Sequence, residues 1–231
     1  MKVFTYIKRN SSRVPKKNFL NLGNLPLWKH LIYELSDISD IFIDTDSYEI
    51  IKECETDFRL SSVTAYSREQ AHIDMENDPS NSLSPALLMT ERFLNTFVED
   101  DNEIIVLTHV TSPFLKASTV LDAVSHLSSG HDAVHSVTSK QDFAWLESFD
   151  NPLNFDPKVV QRTQDLDKIY FSNGAFFIFT KKTFIKNRNR FGHDNLLYTI
   201  SNIEGLEIDN KEDFEMAKIL YRGVKNENGF D

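Results

Sequence analysis

The chain has 231 residues, of which 40% are hydrophobic and 26% are charged, a balance typical of a globular protein with a sizeable core. Asp and Glu outnumber Lys and Arg by 35 to 25, and the net charge of −10 argues against general binding to nucleic acid, which needs a broad basic face. Cys54 is the sole cysteine, so the chain has neither an intrachain disulfide nor a Cys-rich metal cluster.

Hydrophobic stretches along the chain are short. None approaches the ~20 residues that a helix needs to cross a bilayer. The opening residues MKVFTYIKRN become charged too soon for a signal peptide. We therefore expect a cytoplasmic protein that has no membrane partner.

Strand and helix patterns alternate over the first half of the chain. Short apolar runs predict strands at residues 3–7, 41–44, 58–66, 104–108 and 133–138. Helical spacing of apolar residues predicts helices at residues 26–35, 48–56, 85–98 and 118–127. We expect Ser118 or Thr119 to cap the last of these helices. The order predicts an α/β fold, with a mostly parallel sheet and helices on both faces.

The regular pattern breaks at residues 140–170, which we interpret as an extended arm. Strands are predicted again at 176–180, 198–200 and 206–208, and a closing helix at 213–221. No linker divides the chain, so we expect one domain over residues 1–231. Phe143, Trp145 and Phe149 of the arm have no obvious place in one sheet layer, so we expect the arm to form a homodimer.

A basic cluster, KRNSSRVPKKN, occupies residues 8–18, directly after the first predicted strand. It contains Lys8, Arg9, Arg13, Lys16 and Lys17. Open α/β folds bind ligands at the carboxyl ends of their strands, so this loop is a candidate site for a polyanion. The loop has no glycine and is therefore not a P-loop, but Lys and Arg side chains can bind phosphates directly. The alternative is a solvated basic loop.

The same loop resembles the signature of the CMP-sugar synthetases, the acylneuraminate and related nonulosonate cytidylyltransferases, which runs roughly A-R-x-x-S-x-R-x-P-x-K-N. The residues that match in register are Ser11, Arg13, Pro15, Lys17 and Asn18. Two residues depart from the signature. Lys8 stands where the family has Arg, with Arg9 beside it, and Asn10 stands where the family often has Gly.

Further matches follow in the family's order along nearly the whole chain. There are six: Leu25-Pro26-Leu27; Thr45-Asp46; Arg68; Thr111-Ser112-Pro113; the motif of Arg162-x-Gln164-x-Leu166 with Tyr170 and Asn173-Gly174-Ala175; and the motif of Leu206-Glu207-Ile208-Asp209 with Asp213-Phe214. Turn chemistry alone also accounts for several of these residues. His109 departs from a family Gln, and Glu207 from a family Asp. Each motif is weak, but six in order make chance similarity improbable.

The resemblance implies a Rossmann-like nucleotidyltransferase fold and a reaction of CTP with a 2-keto-3-deoxy sugar acid that gives a CMP-sugar and pyrophosphate. The implied catalytic residues, which would hold the triphosphate, are Lys8, Arg9, Arg13 and Lys17. The implied nucleotide-binding residues are Ser11, Asn18, Asp46 and Arg68. The implied sugar-binding residues are His109, Thr111, Ser112, Arg162, Gln164 and Asn173.

Glu207 and Asp209 are the candidate metal ligands. Alternate residues of a strand face the same side, and two neighbouring carboxylates repel unless a cation lies between them. Mg²⁺ accepts one or two carboxylates together with phosphate oxygens, so we expect Mg²⁺ as the cofactor. The alternative for this pair is a solvated sheet edge.

Two other functions fit the same residues. One is a nucleotidyltransferase for another acceptor, such as Kdo, a sugar phosphate or a phosphonate. The other is a catalytically weakened relative that only binds nucleotide. The departures at Lys8, His109 and Glu207 keep both open.

Overall fold

The structure is a computed structural model that describes residues 1–147, 152–159 and 161–227, with the backbone alone at residues 128 and 224–227. The strands are β1 (Lys2–Ile7), β2 (Asn21–Leu22), β3 (Leu25–Pro26), β4 (Asp40–Thr45), β5 (Val63–Ser67), β6 (Ile104–Thr108), β7 (Ala133–Lys140), β8 (Ile169–Thr180) and β9 (Asn195–Thr199). The helices are α1 (Leu27–Ser36), α2 (Tyr48–Thr56), α3 (Gln70–Asn77), α4 (Ala86–Phe97), α5 (Ala117–Ser125), α6 (Lys181–Asn187) and α7 (Lys211–Glu227).

Seven of these strands form one sheet in the order β5-β4-β1-β6-β8-β7-β9. The pairs β5–β4, β4–β1, β1–β6 and β7–β9 are parallel. Strand β8 lies between β6 and β7 and is antiparallel to both. The predicted mostly parallel sheet is therefore confirmed, although the sequence pattern did not indicate the reversed direction of β8.

Apolar side chains of the sheet pack against helices on both faces. On one face Val3 and Ile43 join a core built with α1, α2 and α5. On the other face Phe4 stacks on Phe93 of α4, with ring centroids 4.4 Å apart, and Phe179 contacts Phe184 of α6. Since Val3 and Phe4 are neighbours in β1, the alternation of a strand places them in opposite layers, as predicted. Helix α7 packs on β2 and the start of α1 through a third, smaller cluster around Phe214.

Several predicted elements are wrong or shifted. Residues 58–60 form a 3-10 helix instead of the start of a strand, because the Asp57 carboxylate accepts the backbone N–H of Arg59. Residues 206–208 form no strand, since Ile208 donates its backbone N–H to the carbonyl of Thr111. Helix α5 begins at Ala117, and its first N–H is bonded by Glu34 of α1 and not by Ser118 or Thr119. Helices α3 and α6 were not predicted.

The arm begins where β7 and β8 continue their pairing to Lys140 and Ile169. Beyond this hairpin, an isolated bridge joins Trp145 to Pro152, and Phe155 contacts the ring of Phe143. Phe149 lies outside the described residues. Among the helices of the described part of the chain, none has the length and apolar character to cross a membrane.

Candidate active site

The carboxyl ends of β1 and β6 open into a cavity of about 250 Å³. Its lining residues are Tyr6, Lys8, Ser11, Arg13, Lys17, Asn18, His109, Val110, Thr111, Glu207 and Asp209. Nine of the predicted site residues therefore come together here, from three distant parts of the sequence. We refer to this space as the central cavity.

The basic loop is shaped by its own backbone. Lys16 adopts a left-handed conformation with φ of 53°, and the N–H of Lys17 bonds the carbonyl of Val14, which is buried. The amide Nδ2 of Asn18 donates to the carbonyl of Lys8 at 2.9 Å and closes the loop. The Oδ1 atom of Asn18 is buried and has no hydrogen-bond partner in the described structure. A buried acceptor without a partner is costly, so a donor from a ligand would satisfy it.

Lys17 is buried at the base of the central cavity. Its Nζ donates to the carbonyl of Ile208 at 2.5 Å and lies 3.3 Å from Oδ1 of Asp209. The guanidinium of Arg13 pairs with the same carboxylate oxygen at 2.8 Å. Asp209 therefore pairs with two cations of the loop, the buried Lys17 and the exposed Arg13.

The opposite wall of the central cavity includes the residues directly after β6. Tyr6 Oη lies 2.9 Å from Nε2 of His109, and Nδ1 of the same imidazole lies 3.7 Å from Oε1 of Glu207. The hydroxyl of Thr111 donates to that carboxylate oxygen at 3.4 Å. Gly174 has φ of +70°, and a Cβ there would meet both Glu207 and His109 at 3.1 Å. The glycine of the Asn-Gly-Ala motif therefore leaves room for this wall.

Burial raises the pKa of the Tyr6 hydroxyl, although the nearby Arg190 guanidinium acts in the opposite direction. The hydroxyl is consequently protonated at neutral pH and can donate a hydrogen bond. Neither Tyr6 nor Arg190 was predicted as a site residue. Tyr6 lies inside an ordinary strand pattern, and Arg190 belongs to none of the matched motifs.

Glu207 and Asp209 both line the central cavity, although they do so from a loop and not from the predicted strand. In the described part of the chain, no group of three His, Cys, Asp or Glu side chains is arranged to hold a metal ion. A divalent cation bound by this pair would need phosphate oxygens and water to complete its coordination. Mg²⁺ binds proteins in this way, so the donor set fits it.

A second hollow of about 240 Å³ lies beside the central cavity, at the ends of β4 and β5. Asp46 and Arg68 line this hollow and not the central cavity. Asp46 accepts the backbone N–H of Arg9 at 2.6 Å, and the Arg9 guanidinium pairs with Glu49 at 2.5 Å. Arg9, Asp46 and Arg68 therefore lie next to the central cavity but do not line it.

The side chain of Arg68 is fully buried, with 0% of its surface exposed. Its guanidinium donates to Asp44 at 2.7 Å and to Glu76 of α3 at 2.7 Å. Glu76 also pairs with Lys8 of the basic loop at 3.1 Å. Arg68 is therefore linked to the central cavity through one shared carboxylate.

Four predicted sugar-binding residues do not line the central cavity. Ser112 is buried in the turn after β6, where its N–H bonds the carbonyl of His109. Asn173 is also buried, and its Oδ1 accepts the hydroxyl of Ser136 at 2.6 Å, so it joins β8 to β7. Arg162 is 72% exposed and pairs with Asp165, and Gln164 is exposed on the same short 3-10 helix.

A mostly parallel sheet flanked by helices, with a glycine-free cationic loop after its first central strand and acidic residues facing that loop, defines an α/β protein of the nucleotidyltransferase type. The sequence profile of the cytidylyltransferase family matches residues 8–227. The chain therefore belongs to the cytidylyltransferase family.

Curated relatives share this family membership. The chain is 28% identical to the N-acylneuraminate cytidylyltransferase of Streptococcus agalactiae in an alignment of 220 positions that covers 90% of this chain and 50% of that protein. It is 22% identical to the pseudaminic acid cytidylyltransferase of Campylobacter jejuni in an alignment of 232 positions that covers 95% of each chain. The chain thus spans about half the length of the N-acylneuraminate cytidylyltransferase it matches.

Solved structures of low sequence identity share the fold. The structure of CMP:2-keto-3-deoxy-manno-octonic acid synthetase complexed with CTP matches with a TM-score of 0.63 at 12% identity, over 96% of this chain and 98% of that one. The 4-diphosphocytidyl-2C-methyl-D-erythritol synthase of Anaerococcus prevotii matches with a TM-score of 0.62 at 13% identity, over 95% of this chain and 98% of that one. These similarities concern the fold alone.

Proposed function

We propose that this chain is a CTP-dependent nucleotidyltransferase that transfers CMP to a 2-keto-3-deoxy sugar acid and releases pyrophosphate. The observation that carries the proposal is the central cavity, where Lys8, Arg13 and Lys17 face Glu207 and Asp209. The names of the curated relatives and the CTP-binding structural neighbour support the same substrates. CTP is a cytoplasmic metabolite, so we propose that the enzyme acts in the cytoplasm.

The loop cations would bind the triphosphate. As the anomeric hydroxyl attacks the α-phosphate in line, negative charge builds on the departing pyrophosphate, and fixed cations stabilise that charge. Lys17 is the best placed of them, because Ile208 and Asp209 already hold its amine in position. Arg9 would add to this charge after release from Glu49.

Asp209 and Glu207 would hold Mg²⁺ together with phosphate oxygens. The bound ion would neutralise phosphate charge and lower the pKa of a bound nucleophile. Before it binds, Lys17 and Arg13 balance the charge of Asp209. Entry of a triphosphate gives those cations a new anionic partner and frees the carboxylate for the metal.

The nucleotide would extend from the central cavity toward the second hollow. Asn18 and Ser11 would contact it directly, since Asn18 offers a buried Oδ1 acceptor without a partner. An acceptor suits the exocyclic amino group of cytosine. Asp46 and Arg68 would form the edge of the nucleotide site at the second hollow.

The sugar acid would lie against the wall formed by His109 and Thr111. Ser112 and Asn173 would act by shaping that wall, because both are buried behind it. Arg162 and Gln164 lie on the exposed arm, and we propose that they reach the sugar-acid site of the partner subunit in a homodimer. Arg162 suits a carboxylate through bidentate pairing.

The test is pyrophosphate release by the purified chain with Mg²⁺, each of four nucleoside triphosphates, and a panel of acceptors. The panel holds nine-carbon nonulosonic acids, Kdo, a sugar phosphate and a phosphonate. We expect release only with CTP and a sugar acid. Release with another acceptor would redirect the proposal to that substrate, as the departures at His109 and Glu207 allow. If CTP stabilises the protein against heat but no acceptor gives pyrophosphate release, the chain is a relative that only binds nucleotide. Equal thermal stabilisation of the protein by all four nucleotides would contradict the choice of CTP.

A further inference from the structure

Glu76 of helix α3 connects the second hollow to the basic loop. Its Oε2 atom accepts a hydrogen bond from the Arg68 guanidinium at 2.7 Å, and its Oε1 atom lies 3.1 Å from Nζ of Lys8. The side chain of Glu76 is only 9% exposed, although His72 is the single buried residue of its helix. Glu76 belongs to none of the matched motifs, and the proposed reaction gives it no role so far.

The Arg68 end of this bridge is fixed. The Nε and Nη2 atoms of Arg68 donate to the side chain and to the backbone carbonyl of Asp44, at 2.7 and 3.2 Å. A guanidinium stays charged at any ordinary pH, and a buried charge that loses its partner is strongly destabilising. The interior of the protein therefore holds the Glu76 carboxylate in place, so that it cannot follow Lys8 into solvent.

The Lys8 end of the bridge is 41% exposed and carries the charge that faces the ligand. Asn18 bonds the backbone carbonyl of Lys8 at 2.9 Å, so the loop orders the start of this residue and Glu76 orders its amine. A lysine loses rotamer freedom when it binds phosphate, unless another group has already ordered it. An ammonium group has three N–H donors, so pairing with one carboxylate leaves donors for phosphate oxygens.

We infer that Glu76 is a positioning residue that orders the Lys8 amine for the triphosphate. This inference rests on the proposed function for its ligand and on the local geometry for the role of Glu76. It also accounts for the departure at position 8. The arginine of the family signature is a planar, pre-organised fork, whereas lysine is a point charge on a flexible stem that gains from a partner at its amine.

The rival role for Glu76 is a latch that competes with phosphate for Lys8. The two roles predict opposite effects when the carboxylate is replaced. Removing a latch frees a cation and removes a negative charge near the phosphates, so CTP would bind more tightly. Removing a positioning residue leaves Lys8 disordered, so CTP would bind more weakly even though the local charge has become more positive.

Glu76→Gln separates the two ends of the bridge. A carboxylate has two acceptor oxygens, whereas a glutamine amide has only one, so this variant can satisfy only one cation. The buried Arg68 retains that acceptor, because releasing the partly exposed Lys8 to water costs less. Glu76→Asp is the second variant, since it keeps the charge that Arg68 requires but is one methylene too short to span both partners. Melting curves check that each variant is folded.

The test is isothermal titration calorimetry of the purified chain with Mg²⁺ and CTP, and separately with inorganic tripolyphosphate. We expect the Kd of both ligands to rise about tenfold in Glu76→Gln and in Glu76→Asp, the scale of one hydrogen bond to a charged group. In a Lys8→Met background, the same replacements of Glu76 should have no further effect, because no amine remains to be ordered. Glu69→Gln is the matched control and should bind as the wild type does, since Glu69 caps the same helix but pairs with Arg92 at 3.0 Å.

The outcomes separate this inference from the proposed function. Unchanged or tighter binding by Glu76→Gln would overturn the inference. Equal losses with and without Lys8 would overturn it too, because Glu76 would then act through Arg68 alone. Coupling of Glu76 to Lys8 with tripolyphosphate, in a chain that does not prefer CTP or releases no pyrophosphate, would overturn the proposed function and leave the role of Glu76 intact. A wild type that binds neither ligand would overturn both.

Discussion

Lys17 is both a candidate phosphate-binding residue and a buried structural residue, and its sequence motif indicates only the first of these roles. The motif indicates a phosphate-binding lysine, and the structure shows that its amine is also buried and bonded to the Ile208 carbonyl. We expect Lys17→Met to lower kcat/KM for CTP by about a hundredfold or more, through lost charge stabilisation. We also expect it to lower the free energy of unfolding by about 1–3 kcal/mol, because a buried carbonyl loses its partner. Pyrophosphate release and urea unfolding of the same preparation measure the two losses.

Arg13 offers the control for Lys17, since it pairs with the same carboxylate but is 65% exposed. Exposed ion pairs contribute little to stability. Arg13→Gln should therefore lower turnover and leave the unfolding curve where it was. Wild-type kcat/KM in Lys17→Met would contradict the assignment of the loop to the triphosphate.

Asp209 is the carboxylate on which the metal proposal depends most. Asp209→Asn keeps the shape of the side chain and removes the charge that attracts Mg²⁺, so we expect activity to fall by about a hundredfold or more at every Mg²⁺ concentration. Lys17 and Arg13 lose their counter-ion, and stability should fall by about 1 kcal/mol or less, because Asp209 is 33% exposed. A Mg²⁺ titration of pyrophosphate release beside a melting curve measures both. Near-native activity of Asp209→Asn at ordinary Mg²⁺ concentrations would contradict the assignment of Asp209 as a metal ligand. Asp46 would then be the next candidate.

At the scale of elements, the start of α7 holds in place the segment that carries Asp209, a proposed metal ligand. Asp213 accepts the backbone N–H groups of Asp209 at 2.8 Å and Asn210 at 2.9 Å, and Asn210 in turn accepts the N–H of Asp213. This is a reciprocal cap. Asp213→Ala should lower the free energy of unfolding by about 1 kcal/mol and raise the Mg²⁺ concentration needed for half-maximal activity, because the backbone of Asp209 is released.

The matched control for this cap is Glu215→Ala. Glu215 lies in the same helix, is exposed, and pairs with Lys218 one turn later. The Glu215→Ala variant should leave the Mg²⁺ concentration needed for half-maximal activity unchanged. An unchanged requirement in Asp213→Ala as well would show that the cap supports the helix but not the metal site.

Elements with a clear hydrophobic period could be predicted from the sequence, and elements defined by distant contacts could not. Helix α4 was predicted to within a residue, because Phe93 and Leu94 belong to a regular apolar stripe. Helix α3 was missed because His72 is its one buried residue, so its sequence has no stripe. Residues 206–208 alternate like a strand, but Ile208 bonds Thr111 and Lys17 and no neighbouring strand. The same limit applies to the site, where motifs identified Lys17 and Asp209 but gave no signal for Tyr6 or Arg190.

At the scale of the whole molecule, the arm leaves apolar side chains on the surface. Trp145 is 56% exposed and Leu153 48% exposed, and Phe143 and Leu146 are exposed beside them. A monomer rarely exposes such a patch without a partner, so we predict that the chain is a homodimer in solution. Light scattering at micromolar concentration should give twice the chain mass, and the Trp145→Ser, Leu153→Ser double variant should give the chain mass itself.

Phe58 provides the control for that variant. It is 85% exposed but lies after α2, far along the chain from the arm. Phe58→Ser should keep the dimeric mass. A monomeric wild type would contradict the dimer, and Arg162 and Gln164 would then need a site within their own subunit.

The bond between Lys17 and Ile208 also bears on how the protein is made. It joins residues 191 positions apart, so a ribosome completes the basic loop long before it supplies the carbonyl that the lysine amine requires. Strands β1, β4, β5 and β6 lie within the first 108 residues and can pair while the chain emerges, but the central cavity cannot close until its last segment arrives. A nascent or prematurely terminated chain would thus carry a partly formed sheet and a basic loop in which Arg13 and Lys17 lack Asp209, a state that cellular proteases remove. The central cavity is therefore completed only after Asp209 has been synthesised.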